Sequence, residues 1–357
     1  MEPLELKLGD GWTAVAPQPT AFGLAFIERG GLKCQGTDFR QIAEFDVAHG
    51  REPSSQGNCP VAVDDKNSLI YWARTKFTSK PNEAGCSSLV ESDLRSGKSR
   101  TVLDMPSGKK CNWLLTLDEA GARLITQVHG APKEPMLIAF IDIASGAMRS
   151  LDIGHAAWLP LAVFPRRRQF FFSLRDGSAA IFDFDGKQTA VCPQKLGSPN
   201  MDRHPSSELI AVSFGGIYLW NLENDVVKMV SKTGNVASWS ADGRQLWYFE
   251  RDSELWVLDI VSGNKTRIIQ LSGDTGGCTE YGNLGVWSPD GRFLLAQMNR
   301  KCAVSKDEEK KRRKDFPTNW EPAYQFDWGH HFCVVDTQQR TAWTSPGHAS
   351  HISWFSV

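Results

Sequence analysis

The chain has 357 residues, 41% hydrophobic and 23% charged, with a formal net charge of −1. Near-neutral charge argues against a general nucleic-acid or membrane surface, and no apolar run approaches the about 20 residues a membrane span needs. This length predicts two or three domains unless the chain is an array of repeats, which grows by adding units. The start, Met1-Glu2-Pro3-Leu4-Glu5-Leu6-Lys7, lacks the basic-then-apolar pattern of a signal peptide. Eight cysteines, at 34, 59, 86, 111, 192, 278, 302 and 333, form no C-x-x-C pair. Together these features predict reduced thiols and a cytoplasmic protein.

Taken in order, the chain shows three recurring marks. The first is a polar turn after a short apolar strand: Pro17-Gln18-Pro19, Asp64 to Asn67, Asp118 to Gly121, Pro165 to Arg167, Pro205 to Ser207, Asp242-Gly243 and Asp290-Gly291. Gly, Pro, Asp and Asn supply the dihedrals of a hairpin. The second is an acid or amide between apolar residues: Asp46, Asp93, Asp142, Asp183, Asn221, Asp259 and Asp336, alternating strictly with the first set. The third is a polar turn just after it, as in Ser96-Gly97-Lys98, Ser262-Gly263-Asn264 and, for the first unit, Ala48-His49-Gly50. Each unit therefore reads as four strands, here called a, b, c and d. One such meander cannot bury both its faces alone. Stacking the sheets around an axis buries them, and seven marks of each kind predict an all-β, seven-bladed propeller in a single domain, residues 1–357.

Trp239-Ser240-Ala241-Asp242-Gly243 and Trp287-Ser288-Pro289-Asp290-Gly291, with the c-strand acids and Gly154-His155 and Gly347-His348, make the chain resemble TolB-type and WD-repeat propellers. The Trp of the Trp-Asp pair is absent, and only Trp220-Asn221 comes close. The resemblance covers essentially the whole chain and implies a fold rather than an activity.

Two stretches interrupt the array. One lies at about residues 76–88. The other separates Asp259 from Asp336 by 77 residues, against 38 to 49 elsewhere, and contains an insert at about 303–327. The insert holds Lys306 to Lys314, expected as a short helix or a loop, followed by Trp320, Tyr324, Phe326 and Trp328. It is expected to project from one face and to be dispensable for folding. His351 to Val357 reads as an eighth a-strand. It is expected to close the ring on the first blade, as its innermost strand or beside Trp12 to Val15, with Trp354 or Phe355 buried and the two termini close together.

No sequence pattern for catalysis stands out: G-x-S-x-G, H-E-x-x-H and G-x-G-x-x-G are all absent. Ser96-Gly97-Lys98-Ser99 resembles the tail of a phosphate loop, but the required earlier glycine is Ser92, so it reads as a turn. His331 and Cys333 fall on one face of a strand and are the weak metal candidates, short of the four ligands structural zinc takes. The a-strand tryptophans Trp12, Trp113, Trp158, Trp239, Trp287 and Trp354 read as packing between blades, and the c-strand acids as turn caps. His155 and His348 read as loop hydrogen-bonding residues. No cofactor is expected. The expected function is a non-enzymatic scaffold for a protein partner, contacted by Trp320, Tyr324, Phe326, Trp328, Arg312 and Arg313. Lys310 to Lys314 read as a solvated insert, with an acidic-partner or nuclear-import patch as the competing reading. The competing functional class is an enzyme or small-ligand binder with its site at the channel mouth.

Overall fold

A computed structural model describes residues 6–28, 31–45, 61–76, 85–106, 109–129, 137–152, 162–174, 176, 178–194, 200–213, 215–251, 253–271, 278–315, 325–346 and 352–357. Its strands form seven sheets of four or five strands, the blades of a seven-bladed β-propeller. The chain divides into two compact units, one of Met1–Pro17, Gly215–Ile217 and Val230–His348, the other of Gln18–Phe214, Tyr218–Met229 and Ala349–Val357.

Strands β1 (Lys7–Leu8) and β2 (Thr13–Ala14) open the chain. The first blade holds β3 (Phe22–Glu28), β4 (Gly31–Gly36) and β5 (Gln41–Phe45). The second holds β6 (Val61–Asp64), β7 (Leu69–Lys76), β8 (Gly85–Asp93) and β9 (Lys98–Asp104). The third holds β10 (Lys110–Leu117), β11 (Arg123–His129), β12 (Leu137–Asp142) and β13 (Met148–Asp152). The fourth holds β14 (Ala162–Phe164), β15 (Gln169–Ser173), β16 (Ala179–Asp183) and β17 (Gln188–Val191). The fifth holds β18 (Asn200–Arg203), β19 (Leu209–Ser213), β20 (Ile217–Asn221) and β21 (Val226–Ser231). The sixth holds β22 (Gly234–Trp239), β23 (Gln245–Glu250), β24 (Glu254–Asp259) and β25 (Lys265–Gln270). The seventh holds β26 (Cys278–Trp287), β27 (Phe293–Ala303), β28 (Phe326–Asp336) and β29 (Thr341–Pro346); β30 (Ile352–Ser356) follows.

The second, larger unit shows why b-strands read as unbroken apolar runs. Successive side chains point to opposite faces, and here both faces are covered. Phe170 and Phe172 of β15 pack into a cluster with Ile125, Ile138 and Phe140 of the third blade. Phe171, between them, packs with Ile210, Val212 and Trp220 of the fifth. The d-strands β9, β13 and β17 are mostly exposed and polar, as an outer edge requires.

The first blade takes its a-strand from the far end of the chain. β30 pairs antiparallel with β3, from Phe22↔Ser356 to Phe26↔Ile352. Trp354 and Phe355 are buried, and Trp354 meets Phe22 edge-on at 6.3 Å. Val357 N–H donates to the Ala21 carbonyl at 3.0 Å, and Ser353 Oγ donates to the Val61 carbonyl at 2.8 Å. The expectation of an innermost closing strand therefore holds.

Two expectations about the start of the chain do not. Trp12 to Val15 form no a-strand, and Pro17-Gln18-Pro19 is no a–b turn. β1 instead pairs with β25, and β2 runs parallel to β29, so residues 7–14 strap two blades of the first unit. Gly9 is needed there, because a Cβ would stand 2.2 Å from the Arg267 carbonyl oxygen. Trp12 meets Trp247 edge-on at 6.3 Å. Since the a-strand arrives from β30, the first blade starts one strand early, and its c-strand is β4. Asp46 thus follows the d-strand β5, and it and the turn Ala48 to Gly50 lie outside the described residues. The c–d turn of that blade is at Gly36 to Arg40, where Asp38 accepts from the Arg40 N–H at 3.2 Å.

Candidate functional site

The repeated acids are consumed by turns. Asp93 accepts from the Arg95 N–H at 2.8 Å and the Ser96 hydroxyl at 2.8 Å. Asp142 and Asp259 accept from the backbone N–H groups of Ser145 and Ser262 at 2.8 and 2.7 Å. Asp183 and Asn221 hold the amides of Asp185 and Glu223. Hydrogen bonds to the charged form hold the Asp93, Asp142 and Asp259 carboxyls below the usual range. At Asp336 burial works the other way, yet hydrogen bonds from Arg292 and from the Gln338 and Gln339 amides outweigh it and lower the pKa. Arg292 reaches Asp336 from the a–b turn of the same blade, with Nε 3.0 Å from Oδ1.

The two Trp-Ser-x-Asp-Gly turns share one wiring. Ser240 Oγ donates to Asp242 and accepts from the Gln245 N–H; Ser288 Oγ donates to Asp290 and accepts from the Phe293 N–H. Gly243 and Gly291 both have positive φ, 72° and 70°, as hairpin turns there require.

What the repeat does not account for is the b–c hairpin of the seventh blade. β27 and β28 run 11 residues each, against 6 in β23 and β24. Eleven consecutive pairs, Phe293↔Asp336 to Ala303↔Phe326, carry the hairpin about 17 Å beyond that length. β26 follows alongside as far as Cys278↔Cys302. Cys302 is disulfide-bonded, which corrects the expectation that all eight thiols are reduced. Cys34, Cys111, Cys192 and Cys333 are free and buried.

The hairpin ends in α1 (Lys306–Asp315). This decapeptide has no apolar face, and its ends explain its helicity. Ser305 Oγ accepts from the Glu308 N–H at 3.2 Å as an N-cap. Asp307, Glu308 and Glu309 fill the first turn and Arg312, Arg313 and Lys314 the last, each matching the helix dipole. Arg312 Nε pairs with Glu308 at 3.1 Å and Arg313 Nη2 with Glu309 at 2.8 Å. Val304 N–H donates to the Gln325 carbonyl at 2.9 Å and closes the base of the insert.

Of the expected contact residues, Arg312 and Arg313 lie on α1, and Phe326 and Trp328 lie at alternate positions of β28, opposite Ala303 and Lys301. Trp320 and Tyr324 lie outside the described residues, as do His155, His348 and Trp158. His331 and Cys333 are buried on β28, and burial pushes the Cys333 thiol up to about 12, against the thiolate a metal needs. Among the described residues no three His, Cys, Asp or Glu side chains group as a metal site. A cleft of about 450 Å³ lies between the first and second blades, lined by Glu44, Arg74, Val90, Ser99, Arg100 and Thr101. Its cations are engaged: Arg100 holds Glu91 bidentately at 2.6 and 2.7 Å, and Arg74 donates to Thr101 at 3.1 Å. No described helix is long and apolar enough to cross a membrane.

Compared with known proteins, the chain matches no family model and no curated sequence.

Proposed function

We propose that this chain is a non-enzymatic interaction propeller that holds a protein partner through the seventh-blade hairpin and α1. The observation that carries the reading is that α1 buries none of its own residues. A hairpin lengthened to carry a helix with no buried residue of its own is a surface held out for something else. The repeated acids support it by elimination, since six of the seven positions the sequence marks cap turns. The Ser-x-Asp-Gly turns support kinship with TolB-type propellers more than with WD-repeats, whose Trp-Asp is missing. The free thiols Cys34, Cys111, Cys192 and Cys333 support a cytoplasmic location, and the Cys302 disulfide opposes it.

The test is affinity purification with cross-linking, comparing the full chain with a chain in which 306–324 is replaced by a short Gly-Ser linker. A stoichiometric partner lost with the helix is the expected result. Identical co-purifying proteins from both chains would sink the reading.

A further inference from the structure

We infer that the surface docked on α1 is an acidic stretch of polypeptide. The inference rests on the partner-binding reading above and names the chemistry of the partner. α1 carries six cations and four anions, a net +2. The whole chain is −1, so everything outside the helix carries −3. The helix is thus net positive on a chain whose remainder is net negative.

Its distribution is uneven around the helix. At about 100° per residue, positions four apart drift by only about 40°. Lys306, Lys310 and Lys314 thus form one stripe, about 12 Å long at 1.5 Å per residue. Arg312 and Arg313 are neutralised within the helix by Glu308 and Glu309. Lys306, Lys310, Lys311 and Lys314 are exposed and have no acidic partner among the described residues. Asp307 and Asp315 flank the stripe at its two ends, Asp307 where it serves the helix dipole.

The spacing suits carboxylates on an extended chain. Lysines four apart rise about 6 Å along the axis, and alternate residues of an extended strand are about 6.6 Å apart. A polyphosphate suits it less. The residue type that grips phosphate bidentately is arginine, and both helix arginines already hold carboxylates. A negative remainder of the chain also opposes a long nucleic acid, whose affinity grows with the number of phosphates neutralised.

The experiment is fluorescence anisotropy of the full chain with a fluorescein-labelled oligoglutamate and, separately, a single-stranded oligonucleotide of equal charge. The triple variant K306E/K310E/K314E is the comparison, and all three positions are exposed. Oligoglutamate should bind the wild type, weaken with added salt, and lose at least about tenfold in affinity in the triple variant. Equal binding by wild type and variant overturns the inference, as does tighter binding of the oligonucleotide. A partner lost on removing 306–324 but retained by K306E/K310E/K314E also overturns it, while leaving the partner-binding reading in place.

Discussion

The sixth and seventh blades begin alike and end differently. Their a–b turns have the same serine, aspartate and glycine in the same hydrogen bonds. The two blades share one core, where Trp247 of the b-strand β23 lies edge-on to Trp287 of the a-strand β26 at 5.6 Å. Beyond the b-strand they part: one turns back after six residues, and the other continues for 11 and adds a helix. The shared half is determined by packing between blades, which tolerates little change. The unshared half ends in a helix with no buried residue and can carry chemistry the scaffold cannot. In a repeat protein, the residues that recur explain the fold, and the residues that do not are where to look for function.

That contrast can be broken at four points. Trp247→Ala strikes the shared core and should cost about 4 kcal/mol, read as a shift in denaturant midpoint; a cost near that of a surface change would remove the common-core argument. Asp336→Asn strikes a seventh-blade ion pair in which the aspartate is nearly buried, and should cost about 2 to 3 kcal/mol. The Asp336 pKa is lowered on folding, so this contribution is complete above the unfolded value of about 4 and fades as pH falls through the folded one. The gap between wild type and D336N should therefore narrow in acid, and a gap that widens would contradict the assignment. Gly291→Ala should cost roughly 2 kcal/mol, because positive φ is joined by a Cβ only 2.4 Å from that of Ala241. Gly243→Ala meets at least the positive φ, worth about 1 kcal/mol. Equal melting temperatures for Gly291→Ala and wild type would show that the turn is misdescribed. Replacing 306–324 by a short linker should change stability by less than about 0.5 kcal/mol, and a large loss would mean the insert packs on the blades.

What could be read from the sequence was what local chemistry writes there. Asp242-Gly243 and Asp290-Gly291 state a hairpin within two residues, and the caps from Asp93 to Asp336 sit at fixed places after a strand. The long interval before Asp336 announced an insert, and the charges of Lys306 to Lys314 allowed a helix. Pairing between distant segments left no such trace. Nothing around Trp12 says that it lies against Trp247 rather than in an a-strand. Phe45-Asp46-Val47 imitates a c-strand acid, whereas Asp38, which caps the real turn, follows the polar Thr37 where most other units have an apolar residue. The extension of β26 alongside β27 was equally hidden, because its length depends on the hairpin it pairs with. The candidate site was thus legible as an interval and a charge pattern, but not as an arm.

The a-strand of the first blade has a consequence for how the protein is made. Phe22 and Ser356 are partners roughly 330 residues apart. During synthesis β3 emerges with one edge bare, and that edge stays open until the ribosome has delivered β30. Every intermediate blade has its four strands in hand as they appear; the first does not. Until then Leu24 and Phe26 offer an unpaired strand to whatever edge is nearby, including that of another nascent chain. A chaperone that shields this edge, or slow passage through the crowded polysome, would decide the yield of folded protein more than the stability of the finished one.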